Sequence, residues 1–94
     1  MATRREVMEA WAVKMREHYA QMMQAGAEFE ARSAEIARAK GPDAATVRTL
    51  KDQDQVRGDA YKTWSYHAEC VRTYSALIVA ESAMVQMQAV PRAQ

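Results

Sequence analysis

The chain has 94 residues and a formal charge of +1, and 49% of its residues are hydrophobic and 27% charged. This length fits one domain at most, since domains usually span about 100–200 residues. The near-neutral charge argues against a nucleic-acid or anionic-membrane partner, and the apolar content is too high for a disordered tail. Gly and Pro are scarce, Asn is absent and strand formers are few, which excludes a β-sandwich or barrel and favours an all-α fold.

The expected location is the cytoplasm. The single cysteine, Cys70, excludes an intrachain disulfide, and no apolar segment of the secretory type follows the basic N-terminus. The most apolar stretch, residues 74–90, is interrupted by polar residues and is shorter than the ~20 apolar residues of a membrane span, so no membrane association is expected. Arg outnumbers Lys and Ala is very frequent, a bias typical of GC-rich bacterial or phage genomes.

The first predicted helix covers about residues 4–40. Its start is marked by Thr3-Arg4-Arg5-Glu6, which fits a capping box in which a hydroxyl and a carboxylate satisfy free backbone donors. Its end is marked by Gly41-Pro42, because Gly adopts the left-handed conformation that ends helices and Pro cannot continue one. A tight turn between two helices is therefore predicted at this point.

The second predicted helix covers about residues 43–90, with Asp43 at its N-terminus and Pro91 after its last residue. Gly58 lies in its most polar stretch. A kink there, which would divide the chain into three helices, is the alternative.

Apolar residues recur every seven positions in both helices, which predicts a left-handed supercoil with a continuous seam. A short turn makes the helices antiparallel, so that residue i lies opposite roughly residue 84 minus i, and Arg32 is expected near Asp52 and Asp54 as a register-fixing charge. The first series on each helix is accompanied by a second, three residues further on in helix 1 and three residues earlier in helix 2. The first series comprises Met8, Met15, Met22, Phe29 and Ile36, then Leu50, Arg57, Trp64, Val71, Ile78 and Val85. The second comprises Trp11, His18, Ala25, Arg32 and Ala39, then Val47, Asp54, Tyr61, Ala68, Ser75 and Ser82.

A lone hairpin of this length buries too little surface, because each seam residue stays open to water on one side. The apolar stripes are also wider than a two-helix seam needs. A homodimer that forms a four-helix bundle is therefore expected, with a lone, partly exposed hairpin as the alternative. The predicted interface residues are Trp11, Trp64, Tyr74, Leu77, Ile78, Met84 and Val85.

Three residues could bind a transition metal. His67 and Cys70 are three apart on one helical face, and the hairpin register brings His18 near them. The paired metal-binding signatures are missing, however, and seam histidines that hydrogen-bond to neighbours are the commoner arrangement. We therefore expect no metal and no cofactor, with this trio as the candidate ligands if one binds.

No catalytic residues are predicted, because the sequence has no nucleophile elbow, phosphate loop or acid pair. The expected function is that of a small non-enzymatic helical module for protein–protein interaction. Regulators, inhibitors, assembly factors and scaffold components all fit this description. The alternatives are a metal-binding bundle that uses His18, His67 and Cys70, and a nucleic-acid accessory protein, although the basic residues form no continuous stripe.

Overall fold

The computed structural model describes residues 2–39 and 43–89. Helix α1 spans Arg4–Arg38, helix α2 spans Ala44–Ala89, and these described residues contain no strand. The two helices pack against each other as a hairpin, which confirms the predicted all-α fold. Helix α2 is continuous through Gly58, so the described residues form two helices rather than three. The predicted turn at Gly41-Pro42 and the predicted stop at Pro91 lie outside the described residues.

Both helix starts are capped as their residue types predict. The Thr3 hydroxyl accepts a hydrogen bond from the Glu6 amide at 3.1 Å and donates one to Glu6 Oε1 at 3.1 Å. Asp43 Oδ1 accepts a hydrogen bond from the Thr46 amide at 2.7 Å. The hydrogen bonds from the Thr46 backbone and side chain favour the ionised carboxylate, and they lower the pKa of Asp43. The caps account for where α1 and α2 begin.

The seam follows the seven-residue repeat of α1 as predicted: every member of both series from Met8 to Ile36 is buried or half-buried. In α2 four members of the first series are half-buried, whereas Trp64 and Val85 are exposed, and the companions differ from those expected. The residues three positions after the series, namely Gln53, Ala60, His67, Tyr74 and Glu81, are half-buried or buried. Of the expected companions, Ala68 and Ser82 are half-buried, and Val47, Asp54, Tyr61 and Ser75 are exposed. The apolar pattern favoured the wrong set because three of the true companions are polar.

Those polar companions set the register of the hairpin. Arg4 forms an ion pair with Glu81, His18 contacts His67, and Arg32 donates to Gln53. The partners are fourteen residues apart on each helix, and the two numbers of every pair add to 85, one more than expected.

The expected proximity of Arg32 to Asp52 and Asp54 gives no ion pair. The guanidinium of Arg32 instead pairs within α1 with Glu28 at 2.8 Å and with Glu35 at 3.1 Å, while Asp54 pairs with Arg57 at 2.6 Å. Gln53 faces the seam between the two aspartates, because the true register differs by one residue. The charges near the turn are therefore satisfied mainly within each helix.

The hairpin is long and one helix thick. The chain extends over 80 × 28 × 13 Å, and its radius of gyration is 21.5 Å, against about 12 Å for a compact domain of this length. Of the residues that the structure describes, only Ala25 and Ala60 are buried, each with 7% of its surface exposed. Every other seam residue therefore remains open to solvent above or below the plane of the two helices.

Candidate functional site

The two sides of the hairpin differ in chemistry. In an antiparallel pair, corresponding positions of the heptad lie on the same side of the seam. We define the apolar face as the first heptad series of both helices together with the residues four positions after each member. These flanking residues are Ala12, Tyr19, Gly26 and Ser33 on α1, then Asp54, Tyr61, Ala68, Ser75 and Ser82 on α2. The opposite side, which carries Arg4, His18, Arg32, Gln53, His67 and Glu81, is the polar face.

Direct contacts join the two helices on the apolar face. Ser75 Oγ lies 3.5 Å from the Met15 sulfur, and the rings of Phe29 and Tyr61 have centroids 6.0 Å apart. Trp64 packs so closely on Gly26 that a Cβ atom on this glycine would lie 3.3 Å from Trp64 Cδ1. The small residue thus provides the space in which the indole crosses from α2 to α1.

Two open grooves follow the apolar face. The larger, of about 700 Å³, lies at the open end of the hairpin; its floor is apolar, and polar or charged side chains also line it. The apolar residues are Met8, Ala12, Ile78 and Val85, and the polar ones are Arg4, Arg5, Glu9, Ser82 and Gln86. The smaller, of about 290 Å³, lies beside the Trp64 indole and is lined by Gly26, Phe29, Glu30, Tyr61 and Trp64. On the polar face, by contrast, the groove above Ala25 and Ala60 is bordered by polar side chains, namely Gln21, Gln24, Glu28 and Thr63.

The predicted interface residues are divided between the two sides. Trp64, Ile78 and Val85 lie on the apolar face. Trp11 and Tyr74 are half-buried at the seam on the polar side, and Leu77 and Met84 are exposed beside them.

The predicted interface residues do not include Tyr19 and Tyr61, although 51% and 53% of their surfaces are exposed on the apolar face. The signal that could have found them is their position, four residues after Met15 and Arg57 of the first series.

The polar face holds a cluster of aromatic and titratable side chains at mid-length. His18 Nδ1 lies 2.8 Å from His67 Nδ1, so one imidazole must donate a proton and the other accept it. The His18 ring stacks on Tyr74 with a centroid distance of 5.9 Å, and its edge approaches Tyr66 at 6.1 Å. The contact between His18 and His67 joins the two helices in the middle of the seam, where both histidines are half-buried among aromatic rings.

Cys70 lies at the border of this cluster, one turn after Tyr66. Its thiol raises the pKa of the Tyr66 hydroxyl, because a hydrogen bond between them favours the neutral phenol and an ionised thiol would repel a phenolate. His18 and His67 are brought together as expected. Within residues 2–39 and 43–89, however, no three side chains of the His, Cys, Asp or Glu type are arranged so that they could hold a metal ion.

Comparison with known proteins adds no assignment: no protein-family model, no curated protein and no solved structure matches this chain. Neither α1 nor α2, over the residues described, contains a stretch that is long and apolar enough to cross a membrane.

Proposed function

We propose that this chain is a small non-enzymatic helical module for protein–protein interaction, of the regulator, inhibitor, assembly or scaffold type. It acts by self-association and by masking or bridging a partner surface, in a bacterial or phage setting and in the cytoplasm. The observation that carries the proposal is the apolar face, which runs along the hairpin while only two alanines of the described residues are buried.

The exposed side chains support this use of the face. Trp64 and Tyr61 present large aromatic surfaces next to the smaller groove, with 38% and 53% of their surfaces exposed. Aromatic side chains beside pockets contribute most of the binding free energy at protein interfaces. Contiguous exposed apolar patches mark interaction sites on protein surfaces. The grooves are open rather than enclosed, which suits a protein surface better than a small substrate.

The experiment compares two neighbouring substitutions. Ser75 is exposed on the apolar face, whereas Ala76, one residue later, is exposed on the outer side of α2. Tagged wild-type protein and Ala76→Arg should capture the same partner from host cells, and the identified partner should bind both after purification. Ser75→Arg should lose this partner, because a charged side chain would be desolvated in the contact. Equal binding by all three proteins, or no specific partner for any, would refute the proposal.

The metal-binding alternative rests on the convergence of His18 and His67. Two imidazoles supply half of a tetrahedral ligand set, and Cys70 would have to supply a third ligand, which leaves the fourth position for water. Metal analysis of untagged protein tests this alternative. Bound zinc in stoichiometric amount, with thermal stability lost on chelation, would favour it over the interaction module. The third alternative is nucleic-acid binding, and the near-neutral charge of the chain argues against it. Several basic side chains are also paired with acidic ones, namely Arg4, Arg5, Lys14, Arg32, Arg57 and Arg72.

A further inference from the structure

We propose that a second copy of this chain covers the apolar face, with the two hairpins stacked face to face and their turns at opposite ends. This inference rests on the proposed function and names the occupant of the same surface. The product is an antiparallel four-helix bundle whose polar faces, with the His18–His67 pairs, remain outside.

The solvent-accessible surface area of the single chain is large enough for a second hairpin to cover part of it. The single chain exposes 7508 Å², whereas a compact protein of its mass exposes about 5,500 Å². The excess is on the order of 2,000 Å² for each copy, spread over both faces of the hairpin; if about half of it lies on the apolar face, a dimer would bury about 2,000 Å² in total, which is enough for a stable interface. A short peptide in one groove would leave most of this area open. An occupant that covers it must itself carry an elongated apolar stripe, and a second hairpin does.

The thickness of the hairpin points to the same arrangement. Its smallest dimension is 13 Å, which is about the diameter of one helix with its side chains. A second hairpin stacked at the usual interaxial distance of 8–10 Å would place the first heptad series of both copies in a common core. Met15 and Val71, which are half-buried at the seam, would then be covered from the open side.

The shape of the apolar face favours the arrangement in which the turns of the two copies lie at opposite ends of the bundle. The 700 Å³ groove around Ala12 and Ile78 is separated along the seam from the bulky side chains of Tyr61 and Trp64. If the turns lay at the same end, groove would face groove and a large void would remain between the copies. With a two-fold axis near Val71, the aromatic side chains of each copy enter the groove of the other. Interiors pack to high density, so the second arrangement is the stable one.

The distribution of exposed apolar side chains agrees with this axis. A two-fold axis at this position would place about residues 54–89 of α2 against the same residues of the other copy, and about residues 4–24 of α1 against their counterparts. Among the described residues, all but one of the exposed large apolar side chains on this face and its outer edge lie inside the overlap, and the exception is Val47. Those inside are Tyr19, Met23, Tyr61, Trp64, Val79 and Val85. Asp54 and Arg57, which are charged residues of this face, lie at the edge of the overlap and form an ion pair with each other.

The first test measures mass and the effect of one added charge. Light scattering of the full chain at micromolar concentration should give two chains for the wild type and for Ala76→Arg. Ser75→Arg, matched in charge and only one residue away, should keep its helicity by circular dichroism and raise the dimer Kd by on the order of 100-fold. A one-chain mass for the wild type would overturn this inference but not the proposed function, which stands if Ser75→Arg alone loses the partner. A two-chain mass together with equal partner binding by all three proteins would overturn the proposed use of this face by another protein but not this inference. Disruption by Ala76→Arg alone would overturn the choice of face.

The second test measures the orientation of the copies. A spin label on Gln55→Cys, in a Cys70→Ser background, lies on an exposed position outside the proposed contact. Two labels should be about 50 Å apart with the turns at opposite ends, from a rise of 1.5 Å per residue, and within about 30 Å with the turns together. A single short distance would overturn the proposed arrangement.

Discussion

Replacement of Gly58 by alanine should stabilise the protein, and the structure shows why. Gly58 lies inside α2, and a Cβ atom built on it would meet no atom within 4 Å. Alanine is about 1 kcal/mol more favourable than glycine in a helix interior, so the free energy of unfolding should rise by about that amount. For a chain of this size, 1 kcal/mol corresponds to an increase in Tm of about 4–8 °C.

The matched control is Gly26→Ala, which has the same intrinsic gain but no free space. Its Cβ atom would lie 3.3 Å from Cδ1 and 3.7 Å from Nε1 of the Trp64 indole, so the ring would have to move by a few tenths of an ångström. The contact should offset much of the helix-propensity gain, and the stabilisation should be clearly smaller than that of Gly58→Ala.

Thermal and urea denaturation followed by circular dichroism, at one fixed protein concentration, would measure both variants. A loss of stability in Gly58→Ala would refute the reasoning, since it would mean that this position needs a conformation or a clearance that only glycine provides. An equal gain in both variants would contradict the close packing of Trp64 on Gly26.

A further prediction concerns pH. Because the pKa of Asp43 is lowered in the folded state, its carboxylate stabilises the fold fully at any pH above the ordinary carboxyl pKa. This stabilisation is lost as the pH falls through the lowered pKa. Asp43→Ala should therefore unfold at lower urea than the wild type at pH 7, and the difference should shrink on acidification; a constant difference would argue against a charged cap.

The sequence by itself determined the elements of this protein. Helix α1 begins at the residue after Thr3 and α2 at the residue after Asp43, because capping is a local matter between a side chain and a backbone amide two or three residues away. The seven-residue repeat also predicted correctly that Met15, Met22 and Val71 lie at the seam, since the period of a helix fixes which residues share a side.

The companion series of α2 could not be decided from the pattern. Apolar content favoured Val47 and Tyr61, yet Gln53, His67 and Glu81 take the seam because Arg32, His18 and Arg4 of α1 satisfy them there. A polar residue at a seam is stable only when its partner lies opposite, and the identity of that partner depends on the register between two distant segments. The tertiary structure alone therefore decided which side of the hairpin is polar, and with it which side is left apolar and open.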